Sequence, residues 1–414
     1  MSTIPVLRHL RSLSSRFSDR GKKNINDLTS GPFEHYSWAL SDTLACFPGV
    51  TKYTVHWNND LNNNHRSIPV MGYIWECLGS NLCTLEWESQ LENLHLLLLE
   101  CASIHFPYLQ NLSLKLRRPA DQAHLDTERF HTSVTPFINR HASTIQSLSL
   151  LGIEYFSPQI DKTSLLSVVG HFPRLQRFTF ETGIVSGRHL FISNPLVLAD
   201  FLGRHAGTLQ HLSLRISGHR NRRGQWHEVG DALLKVFSAG LDNLGVLEMR
   251  HYDCFPSTKA IFESIHCFAD TITTLIIDSN TQFGGFTYEE VKNLLMAFSH
   301  RSADRGLTTL FLVVDVLSPQ LVDLLASALP GLRSLTLRIR TIQSRPTSIL
   351  HYSTSLDSPE HFQTEMEKRV YHSWALRYIN VQQLGRDPGW AASIISQRIC
   401  TKCSGLPNII PAHA

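Results

Sequence analysis

No stretch of this chain approaches the ~18 consecutive apolar residues that a membrane-spanning helix needs. Charge of one sign is also missing. With 38 basic and 35 acidic side chains the net charge is +3, too little to argue for nucleic acid. The eight cysteines form no disulfide framework. Several fall in apolar helical segments (Cys77, Cys101, Cys267), which reads as buried free thiols in a reducing compartment, cytoplasmic or nuclear. Cys400-Thr401-Lys402-Cys403 is a lone C-x-x-C without the second pair a structural zinc site requires, and His413 stands too near the chain end to serve. No G-x-S-x-G, P-loop, H-E-x-x-H or G-x-G-x-x-G pattern occurs. The sequence therefore supports no catalytic residue, no cofactor and no metal.

What is present is repetition. Residues 105–114 read His-Phe-Pro-Tyr-Leu-Gln-Asn-Leu-Ser-Leu, and residues 171–180 read His-Phe-Pro-Arg-Leu-Gln-Arg-Phe-Thr-Phe. Residues 141–150 and 205–214 open on His-Ala and close on the same L-x-x-L-x-L frame. Its first apolar position recurs at Val50, Leu82, Leu109, Ile145, Leu175, Leu209, Leu244, Ile272, Leu307, Leu332 and Leu376. Single spacings are uneven, but pairs of units tighten them: Leu109 to Leu175 is 66 residues, Ile145 to Leu209 is 64, and Leu244 to Leu307 is 63. Two unit types alternate. One carries Pro two residues before the frame (Pro48, Pro107, Pro173, Pro330), the other Ala three residues before it (Ala142, Ala206, Ala269).

Helical periodicity precedes most frames, at Leu91–Ile104, Leu165–His171, Val197–His205, Ala232–Phe237, Ile261–Phe268, Val291–Phe298 and Leu321–Leu329. Asn194 before Pro195 and Ser318 before Pro319 predict N-caps, and Thr287 with Glu290 predicts a capping box. The frames alternate apolar and polar residues, as half-buried strands do. A strand, a connection and a helix per unit, stacked to share one core, predict an α/β solenoid: an arc or horseshoe with a parallel concave sheet and outer helices. A doubly wound sheet is the alternative, but its strands are usually continuous apolar runs. Growth in one direction also lets 414 residues escape the size limit of a single core.

We divide the chain into 1–44, an N-terminal cap or degenerate first repeat; 45–344, the irregular repeats; and 345–414, a C-terminal cap and tail. Residues 1–18 are Arg- and Ser-rich without acidic residues, as transit peptides are, yet Val6–Leu13 also reads as a frame. Beyond Arg345 a charged helix over Ser358–His372 and a last strand over Trp374–Val381 are expected, as a capping unit.

These frames resemble leucine-rich repeats. Long units with F-P-x-L-x-x-L-x-L alternating with H-A-x-T-L-x-x-L-x-L are similar to the degenerate repeats of fungal F-box-like proteins, over about residues 45–340. That resemblance implies a non-enzymatic protein-binding scaffold, a substrate-recognition subunit of a cullin–RING ubiquitin ligase that engages a Skp-type adaptor. No F-box is recognisable in Met1–Ser41, which offers only Ile4-Pro5-Val6-Leu7 before a polar, basic stretch. The alternatives are a ligase-independent scaffold or inhibitor, and an enzyme with a site in the 119–140 or 216–227 insertions.

In a leucine-rich repeat, residues between the frame leucines face out of the concave sheet. The expected protein-binding face therefore carries Arg177, His211, Arg215, Glu248, Arg250, Ile276, Asp278, Phe311, Val313 and Arg338. Its middle is a mixed-charge strip suited to an acidic or polar partner. Ile276, Phe311 and Val313 would form an exposed apolar patch rimmed by charge, unless a loop or the C-terminal segment covers them. His219-Arg220-Asn221-Arg222-Arg223, with Trp226, reads as a solvated loop, or as a grip on phosphate or an acidic peptide. His105, His141, His171 and His205 share one repeat position and are expected to cap helix C-termini.

Overall fold

Every frame from Leu82 to Leu376 becomes a strand with its apolar residues on one side. The computed structural model describes residues 51–56, 75–76, 79–100, 103–117, 130–151, 162–183, 195–217, 223–250, 258–278, 285–298, 306–343 and 359–383. Among the described residues eleven strands form one sheet: β1 (Lys52–His56), β2 (Thr84–Gln90), β3 (Asn111–Arg117), β4 (Ser147–Leu151), β5 (Arg177–Gly183), β6 (His211–Ser217), β7 (Val246–Arg250), β8 (Thr274–Asp278), β9 (Thr309–Leu317), β10 (Ser334–Ile342) and β11 (Tyr378–Gln383). Their order in the sheet is their order in the chain, and every neighbouring pair is parallel. Parallel neighbours need a crossover, and helices fill most of them. Among the described residues these are α1 (Leu91–Glu100), α2 (Thr135–Arg140, entered through a π-helical turn at Phe130–Val134), α3 (Lys162–Val168), α4 (Pro195–Arg204), α5 (Arg223–Ala239), α6 (Thr258–Phe268), α7 (Tyr288–Met296), α8 (Pro319–Ala328) and α9 (Pro359–Glu367). One strand added per crossover, always on the same side of the last, is a solenoid-like arrangement.

The frame leucines and the inner helix faces form one continuous core from Trp75 to Val381. The first apolar positions from Leu82 to Leu376 are all buried, so the period read from the sequence holds across that span. Val50, and the helix cap expected at Asn194, lie outside the described residues. Ser318 caps α8 by accepting from the Leu321 N–H at 3.2 Å. Thr287 and Glu290 close the capping box of α7, with bonds of 2.9 and 3.3 Å. The helix from Phe130 to Arg140 falls inside the insertion read as loop. Only a short apolar set marks it, buried Val134, Phe137 and Ile138, with Pro136 inside. Cys267, expected in the core, is exposed: Ile261, Phe262, Ile265 and Phe268 define the buried stripe of α6, and position 267 falls off it.

The two unit types differ in how the chain turns from helix to strand. In Phe106-Pro-Tyr-Leu109 and Phe172-Pro-Arg-Leu175 the leucine N–H returns to the phenylalanine carbonyl three residues back, at 3.2 and 3.1 Å. Proline suits the second position of such a turn because its φ is already set. In His141–Ile145 and His205–Leu209 the turn is one residue longer, and the histidine carbonyl accepts from two backbone N–H groups. The Thr144 and Thr208 hydroxyls donate to the same carbonyls at 3.1 and 3.2 Å, which explains the threonine of this unit type.

His141 and His205 also tie the unit types together. Each Nδ1–H donates to the carbonyl four residues back, Phe137 at 2.9 Å and Phe201 at 2.7 Å. Each Nε2 accepts from the preceding unit, from the Phe106 N–H at 3.2 Å and the Phe172 N–H at 3.0 Å. Both rings are buried, and burial pushes both pKa values down from 6.5 to about 4. The expectation that four histidines cap helices is corrected to two. His105 and His171 are exposed and stack on His141 and His205, with ring centroids 5.5 and 5.2 Å apart.

Gly285 is required for a close approach. A Cβ there would stand 2.2 Å from the Val314 carbonyl carbon. The segment lies beside β9: Phe286 N–H donates to Val313 at 2.8 Å, and Gly285 N–H donates to the Asp315 carboxylate at 2.7 Å. At the far end Asp323 on α8 accepts from Arg369 Nε at 3.1 and 3.0 Å and from the Tyr371 hydroxyl at 2.6 Å, clamping the segment after α9.

Two predictions follow from this packing. Gly285→Ala should cost about 3 kcal/mol, the upper end of overpacking penalties. Gly203→Ala, on α4 with nothing within 4 Å of its added methyl, should gain about 0.5 kcal/mol; denaturant midpoints of the two variants check the contrast. The second concerns pH. Because the folded pKa values of His141 and His205 lie below the unfolded 6.5, the unfolded chain takes up protons first as pH falls. Stability is full above pH 6.5 and drains towards pH 4, by about 3 kcal/mol per histidine. A His141→Gln/His205→Gln variant should lose much of the wild-type slope of unfolding free energy between those limits, and an unchanged slope would refute the assignment.

Candidate binding face

Side chains alternate along a strand, so the residues between frame leucines point away from the helices. Parallel register then lines them up in rows across the sheet. The first row runs Arg177, His211, Val246, Thr274, Thr309, Ser334. The second runs Thr179, Ser213, Glu248, Ile276, Phe311, Thr336. The third runs Glu181, Arg215, Arg250, Asp278, continuing one step beyond the Ile277–Leu312 pair to Val313 and then Arg338. All ten residues expected on the face lie in these rows, on the side opposite the helices.

In the middle, Glu248 is a hub. It accepts from the Ser213 hydroxyl at 3.0 Å and lies 3.9 Å from His211 Nε2 and 3.8 Å from Arg250 Nε. Arg215 Nη1 is 3.6 Å from Glu181. Burial lowers the His211 pKa, with Glu248 opposing and Arg177 assisting, so the ring is neutral at pH 7. Arg177 is exposed at the edge of this strip.

The apolar part is not the open patch expected. Val313 is fully buried although it stands outside the helix-side core. Asp278, two strands from Arg338, receives Arg338 Nη1 on both carboxylate oxygens at 2.9 and 3.0 Å. Neighbouring strands lie ~4.8 Å apart, so this pair spans roughly 10 Å and bridges β9 at the Val313 row. The same guanidinium lies 5.3 Å from the Phe311 ring centre, and its Nε–H donates to Gln382 at 3.1 Å. Asp278 is itself buried, Phe311 and Ile276 half-buried. Two residues read as a charged rim thus form a strap across the apolar group they were expected to frame.

Gln382 was missed by sequence reasoning, because the last strand was expected to end at Val381, one residue short of it. Its only signal is the polar alternation of Tyr-Ile-Asn-Val-Gln-Gln in β11. His219–Arg222 and the Cys400–Cys403 pair lie outside the described residues, while Arg223 opens α5 and Trp226 sits in its first half. Among the described residues no group of three metal-ligating side chains converges. A shallow cleft of ≈ 410 Å³, open to solvent, is lined by Glu76, Gly79, Ser80, Ser103, Ile104, His105 and Pro107 and draws on neither insertion. No helix among the described residues is long and apolar enough to cross a membrane.

The strap generates a stability prediction. Arg338→Ala leaves the buried Asp278 carboxylate without its cation and should cost about 2–3 kcal/mol. Arg340→Ala, whose partner Asp315 is 3.7 Å away at a more exposed site, should cost under about 1 kcal/mol. Urea midpoints of the two variants check the ranking, and equal losses would overturn the strap. No protein-family model matches this chain, and no curated protein matches it.

Proposed function

We propose that this chain is a non-enzymatic protein-binding scaffold of leucine-rich-repeat type, acting through the open face of its sheet. The observation that carries this reading is the set of in-register rows. Eleven strands at ~4.8 Å spacing make a face about 50 Å long, and three rows make it about 13 Å wide. That is about 650 Å², close to the ~800 Å² that one partner contributes to a standard protein interface. Its side chains are mixed polar, charged and aromatic, the composition from which interfaces draw specificity.

The resemblance to fungal F-box-like repeat proteins favours substrate recognition for a cullin–RING ligase, through a Skp-type adaptor. The second reading is a scaffold or inhibitor that uses the same face without a ligase. Co-purification of the adaptor and cullin with the full chain distinguishes them.

A photo-crosslinking residue at Thr179 or Thr336, on the open face, should yield partner adducts in cells. The same residue at Asn293, exposed on α7, should not. Adducts from Asn293 with none from the face would place docking on the helical side and sink the proposal.

A further inference from the structure

Across β5, β6 and β7 the open face holds Arg177, Arg215 and Arg250 against Glu181 and Glu248, one positive charge in excess. Arg215 and Arg250 are directly opposite one another on adjacent strands, a placement that costs free energy for like charges. The register also sets Asp278 beside Arg250, where it could compensate. Both Asp278 oxygens are instead committed to Arg338. What remains for the two arginines is Glu181 at 3.6 Å and Glu248 at 3.8 Å, beyond hydrogen-bonding distance. The Nε atoms of Arg215 and Arg250 are buried and have no hydrogen-bond partner. Orphaned buried donors are rare and costly in native proteins and call for an explanation. Both side chains remain 36% exposed, and no hydrogen bond to a carboxylate holds their guanidiniums in place.

We propose that the paired guanidiniums of Arg215 and Arg250 are a receptor for a carboxylate, the Asp or Glu side chain of an acidic segment of a partner protein lying across β5–β7. The proposal rests on reading the open face as a docking surface, and it names the class of segment that docks. A guanidinium offers two parallel N–H donors to a carboxylate, the bidentate geometry that the existing contacts do not supply. One carboxylate balances the single excess charge. A dianionic phosphate would overshoot it and would meet Glu181 and Glu248 beside the same guanidiniums.

The test selects a random dodecapeptide phage library on the full chain and measures the recovered peptides by fluorescence anisotropy. Recovered peptides should be rich in Asp and Glu, and their Asn/Gln counterparts should not bind. Arg215→Gln or Arg250→Gln should weaken binding on the order of tenfold or more, while Arg174→Gln, on an exposed turn, should not. Arg215→Lys and Arg250→Lys keep the charge without the fork and should fall between; they supply the test if a glutamine variant fails to fold. Apolar or basic peptides, or acidic peptides that bind the glutamine variants unchanged, overturn the proposal. If such peptides still crosslink to Thr179 or Thr336, the docking surface stands and only the carboxylate receptor falls. Recovery of no peptide, with no crosslink from the face, removes both. Displacement of acidic peptides by inorganic phosphate at concentrations where acetate has no effect would make this a phosphate site and overturn the carboxylate assignment.

Discussion

At the start of each strand one carbonyl accepts two N–H groups from the unit that follows. Gln110 receives Gln146 and Ser147, Gln146 receives Gln176 and Arg177, Gln176 receives Gln210 and His211, and the ladder runs from Thr51 to Arg333. It is the backbone constraint on which the rest depends. Parallel pairing leaves the strand register free to slip, and a slip of one residue would send every leucine to the wrong face. Burial of the leucines excludes such a slip, and the doubly bonded carbonyl recurs at the same frame position of every unit. The leucines then fall into one shared core, and the residues between them fall into rows.

Rows give the sheet its chemistry. Asp278 and Arg338 are 60 residues apart in sequence, yet the register places them two strands apart at one level. A long guanidinium side chain can span that distance and a lysine's point charge could not grip both oxygens in the same way. The strap shields Val313, and by occupying Asp278 it leaves Arg250 without its neighbouring carboxylate. One ion pair therefore hides an apolar site and, one strand away, leaves two arginines undercompensated.

The alternation of unit types has a separate cause. Two turn lengths join helix to strand, and the longer one brings a histidine beneath the shorter turn of the preceding unit. Its two nitrogens need opposite partners, a carbonyl and an N–H, and the neutral ring supplies one donor and one acceptor. In the third such pair Phe268 stands in the histidine's place and packs edge-on against Phe237.

The sequence by itself determined the frames from Leu82 to Leu376, seven of the helices between them and after α9 a last strand, and the caps at Ser318 and Thr287. These are local properties: apolar spacing and side-chain hydrogen bonds within three or four residues. It also determined which residues line the open face, because alternation along a strand is local too. Only the tertiary structure decided which of those residues are free. Val313 and Phe311 read as one apolar patch, open unless covered; Val313 is buried and Phe311 half-buried against the Arg338 guanidinium from the next unit. His141 and His105 read alike, and only stacking makes one a buried clamp and the other its exposed lid. Burial and charge pairing depend on what the neighbouring units contribute at the same level, and no residue's own surroundings in sequence contain that information.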